Sequence, residues 1–166
     1  YRRGVISGPC TIDYSYSTVV RVYDAISDND LIASTLQYCD LPSAIEITGS
    51  AHSGGANLWQ YTWERRIDGG VFEPVGGDTI DLVDTDILAT GEYQYKRTIT
   101  SFPCGFETSN VLTVYVHPIL SENTITKEEE IYCGTATGFE IKGSVMTGGD
   151  GHYGYNWYRQ KDEGAS

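Results

Sequence analysis

The sequence predicts an all-β protein built from tandem β-sandwich repeats of about 94 residues each. The first observation is that the segment following Tyr38 and Cys39 recurs after Tyr132 and Cys133, 94 positions later, with about 23 of 72 compared positions identical and no gap. The second is that apolar and polar residues alternate with a period of two along most of the chain. The third is that glycine-rich turns separate these alternating segments, while no segment shows a sustained helical period.

The repeat divides the chain into three parts. Residues 1–27 are predicted to be the C-terminal part of one repeat with its last two strands, F and G. Residues 28–121 form a complete repeat, and residues 122–166 are the N-terminal part of the next repeat, with strands A to C. Neither end part has all the strands that would cover its apolar face. Each is therefore expected to be completed by more of the chain or by another molecule.

The strands of the complete repeat follow from its alternating segments. About seven short strands in roughly 94 residues fit the size and rhythm of an immunoglobulin-like sandwich. The predicted strands are Leu31–Cys39 (A), Ala44–Gly49 (B), Trp59–Arg66 (C), Val71–Val75, Thr79–Leu82, Glu92–Ser101 (F) and Asn110–His117 (G). Trp63 and its counterpart Trp157 are predicted core residues, because an alternating aromatic stripe usually packs inward. Tyr93 follows a turn glycine, as in a tyrosine corner, and is also predicted to lie in the core.

Charge and motif content exclude several classes of function. The chain has 11 Lys and Arg against 23 Asp and Glu, and its net charge of −12 disfavours nucleic acid and anionic membrane surfaces as partners. No apolar run is long enough to insert into a bilayer. No GxSxG, HExxH or P-loop pattern is present, and the three His fall at unrelated positions of the repeat. The sequence therefore predicts no catalytic residues and no enzymatic activity.

The four cysteines occupy two positions of the repeat. Cys39 and Cys133 share the early position, and Cys10 and Cys104 share the late one. The preferred prediction is a Cys39–Cys104 disulfide within the complete repeat, because strand A can lie near the F–G turn, with Cys10 and Cys133 pairing outside this sequence. The alternative joins Cys10 to Cys39 and Cys104 to Cys133, which would link adjacent repeats.

Two groups of residues suggest binding. Asp78, Asp81, Asp84 and Asp86 supply hard oxygen ligands at short spacing, so they form a possible calcium site, although the EF-hand spacing is absent. Calcium is the one cofactor that the sequence suggests. Trp59 and its counterpart Tyr153 stand where strand C begins, and they are possible platforms on which a sugar ring could stack.

Two stretches resemble a known family of repeats. The segment YKRTITSFPCGFETSNVLTVYV and the later segment IYCGTATGFEIKGSVMTGGDGHYGYNWYR are similar to the repeat elements of large Bacteroidota surface proteins. Those proteins are type IX-secreted adhesins with tandem immunoglobulin-like or PKD-like repeats, among them the gliding-motility adhesins. Ala56-Asn57 and the acidic run Glu128–Glu130 depart from the family pattern. In that phylum a short Asp-Thr-aliphatic sequence accepts O-linked glycans, which makes Thr79 a possible glycosylation site.

The resemblance implies a non-catalytic structural or adhesive repeat of a long extracellular fibre that acts in adhesion or gliding motility. It implies a location at the cell surface, either attached to the outer membrane or secreted. The expected partners are neighbouring repeats of the same chain, other fibre chains or surface glycans. Two alternatives stay open: a glycan-binding module, and a filament subunit that assembles by strand complementation between chains.

Overall fold

The computed structural model describes residues 1–125, 133–134, 138 and 140–160, in which every regular element is a β-strand. In chain order the strands are β1 (Gly4–Val5), β2 (Asp13–Tyr14), β3 (Leu31–Ile32), β4 (Gln37–Cys39), β5 (Ile45–Gly49), β6 (Gln60–Ile67), β7 (Glu73–Val75), β8 (Leu82–Asp84), β9 (Gly91–Ser101), β10 (Gly105–Thr108) and β11 (Leu112–His117). Over these same residues, no helix has the length and apolar character needed to cross a membrane. Much of the strand A predicted for the last repeat, together with Glu128–Glu130, lies outside the described residues.

The larger sheet is organised around β9, an 11-residue strand. Its strand order is β4-β11-β9-β6-β7, with β10 also paired to β9. β6 pairs with one edge of β9 from Gln60 opposite Thr100 to Ile67 opposite Tyr93. β10 and β11 pair with successive segments of β9. β11 lies within the predicted strand G, whereas β10 precedes it and is not among the predicted strands.

The smaller sheet has the order β3-β5-β8, and its strands are antiparallel. The predicted strand A, Leu31–Cys39, is divided between the two sheets. Its first part, β3, pairs with β5, whereas its last part, β4, runs parallel to β11 in the larger sheet. A strand was predicted at Thr79–Leu82. The observed strand lies closer to the C-terminus, because β8 begins only at Leu82.

Side chains from both sheets meet in one core, which is the arrangement of a β-sandwich. The core cluster comprises Leu31, Ile45, Ile47, Trp63, Leu82, Ile87, Tyr93, Tyr95, Val114 and Val116. β9 shows how the pattern produces this core, because every second side chain along it, from Tyr93 to Ser101, is buried. Trp63 is 2% exposed, and its indole nitrogen donates to the carbonyl of Thr79 at 2.9 Å. Burying a side chain of this size contributes roughly 1.5–3 kcal/mol.

One charged side chain lies in the interior among these apolar groups. Arg97 of β9 has no exposed surface, and its guanidinium donates to Oδ1 of Asn29 at 2.8 Å. It also donates to the carbonyl oxygens of Ile80 at 2.6 Å and Ser50 at 3.1 Å. The guanidinium lies 5.7 Å from the ring centre of Trp63. Burial lowers the pKa of Arg97, while Tyr61, Asp81 and Asp30 act in the opposite direction. Arg97 therefore ties β9 to the segment before β3 and to the residues that follow β5 and precede β8, all at one end of the smaller sheet.

Hydrogen bonds of the central sandwich recur at positions 94 residues away, which we call counterparts. The carbonyl of Arg97 accepts from the backbone nitrogen of Ser109, and the carbonyl of Arg3 accepts from that of Ser15, both at 2.8 Å. The bridge between Ser27 and Ser53 has its counterpart in the bridge between Ser121 and Thr147. Residues 1–23 form a hairpin in the register of β9 and β10, because Gly4 pairs with Tyr14 as Thr98 pairs with Thr108.

Residues 24–27 and 118–121, which precede and follow the central sandwich and which we call the connecting segments, are held in the same way. Gly55 donates its backbone nitrogen to the carbonyl of Asp24 at 3.0 Å, and its counterpart Gly149 donates to the carbonyl of Pro118 at 2.7 Å. Gly54 and Gly148 precede them at φ of 76° and 82°, where a side chain would be strained. A Cβ on Gly148 would also overlap the carbonyl oxygen of Ile119. The paired glycines thus allow each turn to lie directly against the connecting segment.

Candidate functional site

An open cavity of about 680 Å³ lies beside Trp59, where the chain enters β6. Its wall is formed by Asn57, Leu58, Trp59, Gln60, Asp78, Thr100 and Phe102. Three segments supply these residues: the approach to β6, the loop before β8, and the turn that follows β9. Antiparallel pairing of β6 with β9 brings the first and third segments together, because Gln60 is opposite Thr100.

The ring of Trp59 packs against the imidazole ring of His52. The two ring centres are 4.6 Å apart, and the planes meet at 76°, which is an edge-to-face contact. The indole nitrogen of Trp59 is buried and has no hydrogen-bond partner. Gly55, at a φ of 72°, packs against this nitrogen and leaves no room for a Cβ. The position of Trp59 is therefore fixed by its neighbours rather than by a hydrogen bond of its own.

The rest of the cavity combines apolar and polar groups. Leu58 and Phe102 are 75% and 86% exposed, so two large apolar side chains flank the opening. Asn57 and Gln60 add amide groups, and Asp78 adds a carboxylate. Oδ1 of Asp78 accepts from the backbone nitrogen of Tyr61 at 2.6 Å, which fixes the carboxylate at the rim. Aromatic faces with nearby amides and a carboxylate suit a polyhydroxylated ligand with one apolar face.

His52 should make the stability of the sandwich depend on pH. Burial lowers the pKa of His52 below its ordinary value of 6.5, with a further contribution from the charge of Arg97 and an opposing one from Glu107. Below about pH 6.5 the unfolded chain therefore binds a proton at His52 more readily than the folded chain does. Stability is full above that pH and falls as the pH drops below it. Denaturant unfolding at about pH 7.5 and 5.5 measures this loss. His52→Gln should reduce it, whereas His152→Gln, at an exposed site, should leave it unchanged.

The aromatic residues that were predicted in pairs 94 positions apart have different surroundings in the structure. Trp59 lines the cavity described above, but Tyr153 is 36% exposed and donates its hydroxyl to the carbonyl of Gly148 at 2.7 Å. Trp63 and Tyr93 lie in the core, and the hydroxyl of Tyr93 donates to the carbonyl of Ala89 at 2.7 Å. Trp157, predicted as a core residue, is 59% exposed, because within the described residues no strand covers it.

The four aspartates proposed for calcium do not converge on one position. Asp78 binds the backbone of Tyr61, and Oδ1 of Asp81 accepts from the backbone of Gly49 at 2.9 Å. Asp84 and Asp86 both contact Arg65, at 2.8 Å and 3.4 Å. Among the described residues, no group of three or more His, Cys, Asp or Glu side chains is arranged to hold a metal ion. The short spacing in sequence reflects a loop whose carboxylates turn toward different partners.

Thr79, the proposed glycosylation site, is exposed in the loop before β8. Its hydroxyl donates to the carbonyl of Asp81 at 2.6 Å, and its own carbonyl accepts from Trp63. The backbone at this position is therefore fixed by the core while the side chain remains at the surface.

The preferred disulfide between Cys39 and Cys104 is not formed, and all four cysteines are free. The reason is the direction of β4, which runs parallel to β11 and places Cys39 opposite His117. That position is level with Gly91 at the start of β9, whereas Cys104 follows its last residue, Ser101. The two cysteines are thus separated by the length of β9, roughly 30 Å at 3.3 Å per residue, far beyond disulfide reach. The alternative pairs within the chain are not formed either.

Sequence reasoning found Trp59 and Asp78 but missed the other residues of the cavity. Asn57 is noted only as part of the Ala56-Asn57 departure from the family pattern, and Leu58 and Phe102 have no predicted role. Nothing in their local sequence indicates that they meet. The pairing of β6 with β9 brings these residues together. The sequence would indicate this only if the two strands were already known to be neighbours.

Comparison with known proteins places the central part of the chain in a family. No curated protein and no solved structure gives a significant match to this sequence. A family described as a domain of unknown function, DUF8696, matches residues 29–118. The matched residues begin just before β3 and end just after β11, so they cover both sheets of the sandwich. Because the match extends over more than half of the chain, this protein belongs to the DUF8696 family.

Proposed function

We propose that this chain is a non-catalytic structural repeat of a long extracellular fibre, similar to the type IX-secreted adhesins of Bacteroidota. The observation that carries the proposal is the recurrence of the same hydrogen bonds at counterpart positions, including those that hold the connecting segments. A fibre made of one repeated unit requires one junction geometry used again at every step.

The proposed unit is an immunoglobulin-like sandwich of about 94 residues, with residues 28–121 as the complete copy. The strand orders β3-β5-β8 and β4-β11-β9-β6-β7 support this, because the first strand switches between sheets. The bond from the hydroxyl of Tyr93 to the carbonyl of Ala89 also supports it, since a tyrosine corner has the same local bond. Residues 1–27 and 122–166 would belong to the preceding and following copies.

The junctions suit a stiff array. Each connecting segment is hydrogen-bonded to a turn of the following unit through Gly55 or Gly149, so it does not act as a free linker. The bridge from Ser27 to Ser53, and its counterpart at Ser121, adds a second attachment. Successive units held at two points would project a binding end away from the cell and transmit tension along the chain. The net charge of −12 would keep adjacent fibres apart.

Protease treatment of intact cells that produce this protein tests the location and the adhesive role together. We expect an added protease to remove the protein without cell lysis, and the treated cells to attach less well to surfaces. An intracellular enzyme that is also released by lysis serves as the control and should be spared. Protection of this protein alongside that control would contradict an extracellular fibre.

A second candidate function is glycan binding in the cavity beside Trp59. It is favoured by the fixed Trp59 ring next to amide and carboxylate groups at an open site. We expect Trp59→Ala to weaken binding to a glycan array by about tenfold or more, because a central aromatic side chain carries a large share of such contacts. Trp59→Tyr, which retains a stacking ring, should preserve most of the binding. Equal binding by the alanine variant would contradict this role.

A further inference from the structure

The C-terminal part of the chain contains a cavity that is open among the residues that the structure describes. Its volume is about 260 Å³, and its wall includes Asn123, Gly143, Ser144, Tyr155 and Trp157. Tyr155 and Trp157 are 60% and 59% exposed, and Ile125 beside them is 64% exposed. Aromatic and aliphatic side chains are thus open to solvent around a small group of polar atoms.

Five of the residues that line this cavity have identical counterparts around Arg97 in the central sandwich. Asn29, Gly49, Ser50, Tyr61 and Trp63 lie 94 positions earlier and are the same five residue types in the same order. There, Asn29 and the carbonyl of Ser50 accept from the guanidinium, which lies 5.6 Å and 5.7 Å from the ring centres of Tyr61 and Trp63. A Cβ on Gly49 would overlap Nη1 of Arg97, so the glycine makes room for the charge. The C-terminal cavity therefore has the composition of an arginine-binding site.

The N-terminal hairpin carries the matching arginine. Arg3 is the counterpart of Arg97, it is exposed, and its backbone nitrogen donates to Oγ of Ser15 at 2.9 Å, as that of Arg97 does to Ser109. The apolar side chains of the same hairpin also lack cover. Val5, Val20 and Val22 are 50%, 60% and 89% exposed. Their counterparts Ile99, Val114 and Val116 are at most 2% exposed.

We propose that the C-terminal cavity binds Arg3 of a second copy of this chain, whose hairpin packs against the residues around the cavity. This goes beyond the proposed function, because it assigns a binding site and an occupant whether or not the array is adhesive. The hairpin corresponds to β9, β10 and β11, and residues 140–158 correspond to most of β5 and the first part of β6; neither segment corresponds to β7 or β8. Two kinds of contact are not reproduced. Tyr16 replaces Asn110, whose side chain binds the backbone of Leu31, and the acceptor carbonyl of Ile80 has no counterpart in these segments.

The hairpin cannot reach the cavity of its own molecule. The segment before β3 lies against Gly54 and Gly55, near the C-terminal end of β9, and Ala56 donates to Oγ of Ser101 there. The segment after β11 leaves from the opposite end, since Val116 pairs with Gly91. The two sites are therefore separated by the length of the central sandwich. A head-to-tail interface of this kind produces open chains of molecules or closed rings.

The junction brings two cysteines from different copies together. Cys39 lies opposite His117, and the next residue, Pro118, accepts a hydrogen bond from Gly149 of the following unit. In the central sandwich the counterpart of Gly149 is Gly55, which packs against Ser101.

The carbonyl of Ser101 in turn accepts from the backbone nitrogen of Cys104 at 2.6 Å. Cys10 is the counterpart of Cys104 in the hairpin. A docked hairpin would therefore place Cys10 of one copy at the same junction as Cys39 of the other.

Sedimentation velocity of the full 166-residue chain tests the proposal. We expect the mass to rise above the monomer value of 18.3 kDa as concentration increases. Arg3→Ala should weaken the association by about a hundredfold or more, because it leaves buried acceptors without their charged donor. Arg2→Ala is the matched control, since it removes the same charge from the opposite face of the hairpin. Trp157→Ala should weaken association as Arg3→Ala does.

Mixing the variants separates specific docking from aggregation. Arg3→Ala retains an intact cavity and Trp157→Ala retains an intact hairpin, so an equimolar mixture should form a one-to-one dimer although each alone is monomeric. A short bis-maleimide reagent added to the unmodified chain should join Cys10 to Cys39 between molecules, and this product should be lost in Arg3→Ala. A chain that stays monomeric at high concentration, or variants that associate as the parent does, would overturn the proposal. Denaturant unfolding of each variant checks that the central sandwich is intact.

Discussion

Arg97→Ala is expected to destabilise the central sandwich by about 4 kcal/mol or more, a large part of the total stability of a domain of this size. The guanidinium of Arg97 is fully buried and donates to Asn29, Ile80 and Ser50. Truncation leaves these three oxygens without a donor in the interior and opens a cavity next to Trp63. Each unpaired buried acceptor costs roughly 1–3 kcal/mol, to which the lost packing is added.

Urea unfolding followed by tryptophan fluorescence measures the change in the free energy of unfolding. Arg97→Met retains much of the side-chain volume and removes only the donors, so its loss should be intermediate. Lys96→Ala is the matched control. Lys96 is the neighbouring cation on the outer face, its partner Glu64 is 31% exposed, and such pairs contribute about 1 kcal/mol or less. If Arg97→Ala lowered the free energy of unfolding no more than Lys96→Ala does, the hydrogen bonds of the buried guanidinium would not stabilise the sandwich as we describe.

The alternating pattern of β9 agrees with the burial of Arg97, although it does not show what Arg97 binds. Alternation along β9 places Tyr93, Tyr95, Arg97 and Ile99 on one face, and the structure buries all four. The partner Asn29 comes from 68 positions earlier and stands in a segment with no regular pattern. A period-two rule carries no information about such distant pairs, which depend on how the two sheets are stacked. The burial of the arginine was therefore accessible from sequence, whereas its binding site was not.

The disulfide prediction failed for a related reason. Sequence placed Cys39 correctly at the end of the first strand, but it could not tell which end of the sandwich that strand reaches. After β3 the chain leaves the smaller sheet, and β4 runs parallel to β11, which carries Cys39 away from Cys104. The chain crosses from one sheet to the other because β4 pairs with the edge of the larger sheet. No turn signal near residue 34 marks this crossing. The local residues predict an extended segment in both sheets equally well.

Asp84→Ala should have the second large effect, a loss of about 3–5 kcal/mol in the free energy of unfolding. The carboxylate of Asp84 is buried and accepts from Nη1 of Arg65 at 2.8 Å and from the hydroxyl of Tyr95 at 2.9 Å. Burial and the charge of Asp84 raise the pKa of Tyr95, so this hydroxyl keeps its proton and remains a donor. Removing Asp84 leaves the buried hydroxyl and the half-buried guanidinium of Arg65 without their shared partner.

The variant also decides between a structural and a calcium-binding role for Asp84. Asp84→Asn retains an acceptor for Tyr95 but loses the charge, so it should cost less than Asp84→Ala. The double variant Asp84→Ala with Tyr95→Phe should cost less than the sum of its single changes, because the orphaned hydroxyl is removed as well. Since Asp78 and Asp81 bind other backbone groups, all of these losses should be the same in calcium and in a chelator. A loss that appears only in calcium would show that the carboxylates of this loop hold the ion rather than Arg65.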